Sequence, residues 1–398
     1  MPSIPLDNLK AEIDELVPDL IATRRDLHEH PELGFEEVRT SGIVAARLHA
    51  LGLEVQTGIA KTGVVGLLRG EASGPDTKTI AIRADIDALP IQELNEIDYR
   101  SQVDGKMHAC GHDGHTAIAL AVADILSKHR TELRGNVKFI FQPAEEGIGG
   151  AKKMLEEGAM QGVDGLIGLH VFSTLPSGRV YARAGTTFAS ADKLIFTVKG
   201  KGGHAAMPEG SVDPIVIAAH IITALQTLIS RETSPFSPAV ITIGKIEAGT
   251  AFNIIPETAS MIGTMRAYTT EHRAYLTRRI QELANGVAQA MGGSCEVAVT
   301  DGCPPCTNDV QMSELVHKAA VAAVGELAAD NSEAGITAGS DDMGYLLQAV
   351  PGCYFLVGAR NETKGANYPH HHPRFNIDED ALPIGVEVLT RAAIDFLQ

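Results

Sequence analysis

The segment Met107–Thr116, MHACGHDGHT, gathers three histidines, one cysteine and one aspartate beside two glycines. No other stretch of the chain concentrates metal-binding side chains so densely. Cys110 and His112 alternate on one backbone turn, and Gly111 and Gly114 lack the Cβ that would obstruct close approach to an ion. The run AIALAVADIL that follows reads as a buried helix, which places these donors at a helix N-terminus. The positive end of the helix dipole is expected to favour a thiolate there. Other chemistry-bearing residues follow short apolar runs: Asp85 and Asp87 after TIAIRA, Gln142 to Glu146 after VKFIF, and His170 after GLIGL. Carboxylates, imidazoles and a thiol form a donor set suited to a divalent ion.

Each candidate has a plainer reading. An isolated Glu-Glu pair is usually a solvated turn. Glu145 and Glu146 instead follow a strand and precede a Gly-rich helix start, and neighbouring side chains at a strand end point differently. One can bind a metal while the other faces a substrate as general base. His170 alone would read as a satisfied core histidine, but its place at the end of DGLIGLH favours a ligand. In YPHHHPRF, Pro369 and Pro373 restrict His370 to His372 on both sides, so one late ligand is expected from the three. Cys303 and Cys306 form a CxxC with no second pair and no thioredoxin-like context, and are read as a loop feature. His204 lies in the Gly-rich turn KGKGGHAAMPEGS, where glycines allow close approach to a ligand but a lone histidine is usually just exposed.

The elements that must carry these residues alternate. Helical spacing runs over 6–30 (Leu6, Leu9, Ile13, Leu16, Leu20, Leu27), interrupted at Pro18, and again from Arg39 to Leu51, stopping at Gly52. Strands follow at LEVQT, GVVGLL and TIAIRADIDALP, then a helix to Lys128 and the strand NVKFIFQ. This order implies a doubly wound α/β sheet with ligands at the carboxyl ends of its strands. From Ala191 the order is β-α-β-β-α-β, a ferredoxin-like α+β insert. Residues 1–185 and 302–398 are therefore expected to form one discontinuous catalytic domain around an insert at 186–301, with hinges near Gly185 and Asp301.

A chain of 398 residues exceeds what one core usually supports, in keeping with two domains. A formal charge of −17 argues against nucleic acid and anionic membranes as partners. The N-terminus lacks a basic region followed by an apolar one, and no stretch reaches the ~20 apolar residues that span a bilayer. A cytoplasmic protein is expected. Five cysteines in so long a chain give no disulfide framework.

With these residues assembled, the sequence resembles the metal-dependent amidohydrolases and exopeptidases that include aminoacylase, glutamate carboxypeptidase and succinyl-diaminopimelate desuccinylase. Within them it is similar to the branch of hippurate hydrolases and plant auxin-conjugate hydrolases. The resemblance rests on RRDLHEHPELGFEE, IRADIDALPI, MHACGHDGHTA, FQPAEEGIGGA, GLHV, GGHAAMPE, FNIIPETASMIGTMR, GSDDM and HHPRFNIDEDALPIG, in that order. It implies a two-metal centre held by Cys110, His112, Glu146, His170 and a late histidine. His371 is chosen because the branch places this ligand two residues before the proline of the motif, with His372 as the alternative. The resemblance further implies Glu145 as general base and Asp87 as the carboxylate that orients a metal ligand. It makes the insert a lid that also forms a homodimer, its His204 reaching the partner subunit's active site. Asn253 and Arg266 match positions that hold a substrate carboxylate. Thiolate ligation favours zinc, with manganese or cobalt as alternatives.

The function these residues imply is hydrolysis of an N-acyl amino acid to a carboxylate and a free amino acid. The metals would activate water and polarise the carbonyl, Glu145 would move the proton, and metal and His204 would hold the oxyanion. The same site on a dipeptide, an acetylated diaminopimelate or an auxin conjugate is the nearest alternative. A thiol hydrolase with Cys110 as nucleophile, or a non-catalytic metal-binding scaffold, are alternatives of other classes. The lid is expected to close over substrate. Exhaustive chelation should abolish activity and a divalent metal should restore it, whereas full activity after metal stripping would favour the thiol.

Overall fold

The computed structural model describes residues 6–72, 74, 77–147, 149–300 and 302–398. The expected hinge at Asp301 lies outside the described residues. The chain forms two compact units. One holds residues up to Thr187 with Thr307–Ile336 and Asp342–Gln398; the other holds Phe188–Cys306 with Thr337–Asp341.

In the first unit, strand Thr79–Asp85 is buried along its whole length, as a strand in the middle of a covered sheet must be. It is flanked in parallel by Asn136–Gln142 and Gly165–Pro176, and the latter pairs in parallel with Gly352–Arg360. These four form the centre of an eight-stranded sheet. The margins depart from a purely parallel sheet: Glu54–Ile59 and Gly63–Arg69 add antiparallel on one side, and Val180–Tyr181 pairs antiparallel with Gly352–Arg360 on the other.

Helix His112–Lys128 packs against the first helix, Leu9–Glu29, and the last, Ala381–Leu397. The first helix runs unbroken through Pro18, against the expected interruption. A proline inside a helix costs about 3 kcal/mol. Burial of Leu9, Ile13, Leu20 and Leu27 on the same face, at roughly 1.5–3 kcal/mol for each large apolar side chain, outweighs that cost.

The second unit has a four-stranded antiparallel sheet in the order Ala239–Ala248, Thr258–Ala267, Asp192–Lys199, Ser294–Thr300. Taken in chain order this is 2-3-1-4, the ferredoxin-like arrangement. Alternate residues Leu194, Phe196 and Val198 bury one sheet face against Ile217, Ile221 and Leu225 of helix Pro214–Thr227 and Leu276 and Ile280 of helix Thr270–Ala290. Asp213 and Thr269 cap the two helices by accepting backbone N–H bonds. With its terminal turn, Pro214–Glu232 is long and apolar enough to cross a membrane by length and composition alone. Ile217, Ala218, Ile221, Leu225 and Leu228 bury one stripe of it in the insert core, while Ile215 and Val216 are exposed. Residues 302–306 and 337–341 join this unit rather than the other. Ala191 N–H donates to Cys303 O (3.0 Å), Ala189 N–H to Gly339 O (2.9 Å), and the Cys306 thiol to Asp341 O (3.3 Å).

A buried polar cluster ties the first helix to the start of His112–Lys128. Arg24, wholly buried, donates to Asp113 (2.9 Å), Asn376 (3.0 Å) and Glu379 (3.1 Å), and Asp113 also lies 2.8 Å from His28 Nδ1. Burial alone would raise the Asp113 carboxyl, but Arg24 and His28 outweigh it and hold the group far below the ordinary carboxylate range. The stability it contributes is full above the ordinary value of about 4 and is lost as the pH falls through the depressed folded-state value. Asp113→Asn leaves Arg24 with Glu379 as its remaining counter-charge, and urea unfolding at neutral pH should show a loss of about 1–3 kcal/mol. A loss below about 1 kcal/mol would mean the pair is not what joins these helices.

Candidate metal centre

Local backbone geometry brings the donors together. Asp85 pairs in register with Gln142 at the carboxyl ends of neighbouring strands. His170 lies within its strand rather than at its end, because Val171 and Phe172 continue the pairing with Val357 and Gly358. Gly111 precedes helix His112–Lys128 with φ 97°, and a Cβ there would come within 2.5 Å of Val171 Cγ2. Only glycine fits. His371 also has a left-handed backbone, φ 64°, and its N–H donates to Ala109 O at 2.8 Å, holding it beside Cys110.

Two triads result. The donor atoms of Cys110, His112 and His170 all lie within 4.8 Å of one another, as do those of Cys110, Glu146 and His371; Cys110 belongs to both. Glu145 sits within the same distance of His112 and Glu146. Cys110 Sγ is 3.5 Å from His170 Nε2, and Glu146 Oε1 is 3.2 Å from His371 Nε2 without hydrogen-bond geometry. A tetrahedral shell with bonds of about 2.0–2.3 Å spaces its ligands roughly 3.3–3.8 Å apart, close to both separations. His112 Nε2 and Glu146 Oε1 are buried with no hydrogen-bond partner, a costly state unless a cation meets them. The residues present fit a divalent ion.

The histidine triplet separates by contact. His370 is half-buried against His170, with ring centroids 5.0 Å apart, its Nε2 accepting Ser173 N–H at 3.2 Å and its Nδ1 3.9 Å from Cys110 Sγ. His372 stacks on Tyr368 at 4.5 Å and accepts Arg374 N–H. His371 is the one brought to Glu146.

The electrostatics reverse the thiolate expectation. Burial, then Glu146, Glu145 and Asp85, push the Cys110 thiol well above its ordinary value. Burial works against a charged His112, but Asp85, Asp87 and Glu146 outweigh it and raise the imidazole to about 10. Burial beside His115 and His370 holds His170 well below the usual range. A cation would exchange for protons on Cys110 and His112. Carboxylates facing the sulfur are also the opposite of what activates a cysteine nucleophile.

Asp87 supports two donors at once. His112 Nδ1 donates to its backbone oxygen at 2.9 Å, with Oδ1 at 3.2 Å, while Oδ2 accepts Glu146 N–H at 3.0 Å. The ring is thereby turned so that Nε2 points at the cluster. Sequence reasoning assigned no role to His115, Arg83 or Asp342. His115 Nδ1 lies 2.5 Å from Asp85 Oδ1, and its Nε2 accepts Val171 N–H at 2.9 Å, bracing the strand of His170. Its i+3 spacing from His112 is the signal that could have found it. Arg83 joins Asp85, Gln142 and Asp342 in a buried network.

The remaining sequence candidates belong to the insert. His204 and Asn253 are exposed on one two-stranded ribbon, where Gly203–His204 pairs with Ile254–Ile255 and Ala205 N–H donates to Asn253 O at 3.1 Å. Arg266 is half-buried in strand Thr258–Ala267 opposite Val240, with Nη1 lacking a hydrogen-bond partner.

A mixed α/β unit with an α+β insert and a cluster of thiol, imidazole and carboxylate donors defines a metallohydrolase. Residues 81–395 match the family described as Peptidase family M20/M25/M40, and the chain belongs to that family. It is 39% identical over 392 residues to an IAA-amino acid hydrolase ILR1-like protein of Arabidopsis thaliana, covering 98% of this chain and 87% of that one. To the N-acetylcysteine deacetylase of Bacillus subtilis it is 39% identical over 380 residues, 95% of this chain and 97% of the other. A Bacillus subtilis crystal structure described as a dinuclear metal binding peptidase from the M20 family superposes with TM-score 0.82 at 36% identity, covering 96% of this chain and 99% of that one. The protein is a metal-dependent hydrolase of amide bonds. If Asp87 orients two ligands, Asp87→Ala should weaken metal binding about 10–100-fold in chelator competition; unchanged affinity would remove that role.

Proposed function

We propose that the enzyme hydrolyses N-acyl amino acids to a carboxylate and a free amino acid, with Glu145 as general base. The observation that carries this reading is the Glu145 carboxylate lying beside the donor cluster, its Oε1 receiving Asp342 N–H at 3.4 Å. Relatives named for an amino-acid conjugate and for an N-acetyl amino acid support the substrate class. Two triads that share Cys110 support two ions per chain, with zinc as the first choice for a set that includes a thiolate.

Cys110, His112, Glu146, His170 and His371 would hold the ions. Bound there, divalent ions would lower the pKa of water and polarise the scissile carbonyl. Glu145 takes the proton of the attacking water and returns it to the leaving amine. Asn253 and Arg266 are assigned to the substrate carboxylate, Arg266 through a bidentate fork. His204 is assigned to the developing oxyanion, from the partner subunit of a homodimer formed through the insert. The edge strand Ala239–Ala248, with Val240 and Ile246 exposed, supports that interface, since an open edge is a ready pairing surface. A cytoplasmic location completes the proposal.

Glu145→Gln should lower turnover by about 10²–10⁴-fold with metal content intact, and near-wild-type activity would remove the assigned base. A panel of N-acetyl, N-benzoyl and long-acyl amino acids, run with zinc, manganese and cobalt, should rank N-acyl amino acids above dipeptides. Preference for unblocked dipeptides would move the reading to a peptidase. Light scattering should show a dimer, and a fully active monomer would exclude His204 acting across subunits.

A further inference from the structure

The turn that carries Glu145 and Glu146 is gripped at two points, and the helix after it at a third, by acidic side chains from elsewhere in the chain. Ala144 N–H donates to Glu37 Oε1 at 2.9 Å, Glu146 N–H to Asp87 Oδ2 at 3.0 Å, and Ala151 N–H to Asp342 Oδ2 at 2.8 Å. Ala144 adopts φ 54°, a left-handed conformation disfavoured for any residue with a Cβ. Such a conformation persists only where its surroundings over-determine it. Glu37 is the residue placed to do so. It precedes helix Val38–Ala50, is wholly buried, and its second oxygen accepts the Thr62 hydroxyl at 2.5 Å, which fixes the carboxylate plane.

We propose that Glu37 is a positioning residue for catalysis: by accepting the Ala144 N–H it holds the backbone from which the Glu145 carboxylate is aimed. The inference rests on Glu145 being the base. Glu37 belongs to neither donor triad, and it lies 107 residues from Ala144 in the sequence. Burial, with Asp87 contributing, pushes the Glu37 carboxyl above its ordinary range. What it offers the turn is an acceptor oxygen held in place, one oxygen taking Ala144 N–H while the other is fixed by Thr62. Glutamine reproduces that geometry, since its oxygen can accept from Ala144 while its amide donates to the Thr62 hydroxyl.

The test compares Glu37→Ala, Glu37→Gln and Thr62→Val in metal-loaded enzyme, on the N-acyl amino acid that the substrate panel ranks first. Glu37→Ala should lower kcat about ten- to a hundredfold, as a misplaced catalytic group does, with KM and metal content little changed. Glu37→Gln should restore turnover, and Thr62→Val should give a smaller loss in kcat. A crystal structure of Glu37→Ala should show Ala144 out of the left-handed region. Wild-type kcat in Glu37→Ala, or a Glu37→Gln variant as slow as Glu37→Ala, would overturn the proposal. If Glu37→Ala does not fold, Thr62→Val and Glu37→Gln decide: a slowed Thr62→Val with an active Glu37→Gln supports it, and any other pair of results overturns it. Failure of the base assignment is read separately, from an active Glu145→Gln. A slowed but fully metallated Glu37→Ala beside an inactive Glu145→Gln supports both.

Discussion

Excess negative charge around a buried sulfur is the constraint on which the catalytic unit depends. Burial, then Glu146, Glu145 and Asp85, push the Cys110 thiol up, and Asp85, Asp87 and Glu146 raise the His112 imidazole against the cost of burial. Buried carboxylates are tolerated where cations or metals answer them. Arg83 answers Asp85 and Asp342 through ion pairs of 2.7 and 3.2 Å. The donors of the two triads are left at separations suited to divalent ions, so protons and metal compete for the same atoms.

A cluster of this kind needs rigid placement, because an ion binds well only if its ligands are already where it needs them. The fold supplies that placement through backbone contacts. His170 is fixed inside a central strand, His112 by the start of a buried helix, His371 by a bond to Ala109 O, and Glu146 by Asp87. Left-handed residues at Ala144 and His371 show where the chain bends sharply to present a donor or a base. The insert is built separately around its own apolar core, with His204 and Asn253 on an exposed ribbon.

Much of this was legible in the sequence because the site is encoded locally. The cysteine and histidines of one turn, and acids after apolar runs, reveal strand ends and a helix start before any contact is known. The insert's topology was equally legible, since its alternating Leu194, Phe196 and Val198 and its capped helices are local signals. What the sequence hid depends on contacts between distant segments. Pro18 reads as a helix break until the packing that overrides it is seen. A helix start favours a thiolate locally, but burial, then Glu146, Glu145 and Asp85 from distant segments, outweigh it. Glu37 and Asp342 lie within the quoted strings RRDLHEHPELGFEE and GSDDM, but only folding sets them against the Glu145 turn and so shows what they do.

Cys110 belongs to both donor triads, so in a centre of two ions it would serve both. Anomalous diffraction at the zinc edge from zinc-loaded crystals tests it most directly. The account predicts two peaks per chain flanking Cys110 Sγ, one toward His112 and His170 and the other toward Glu146 and His371. A single peak, or peaks away from that sulfur, would contradict it.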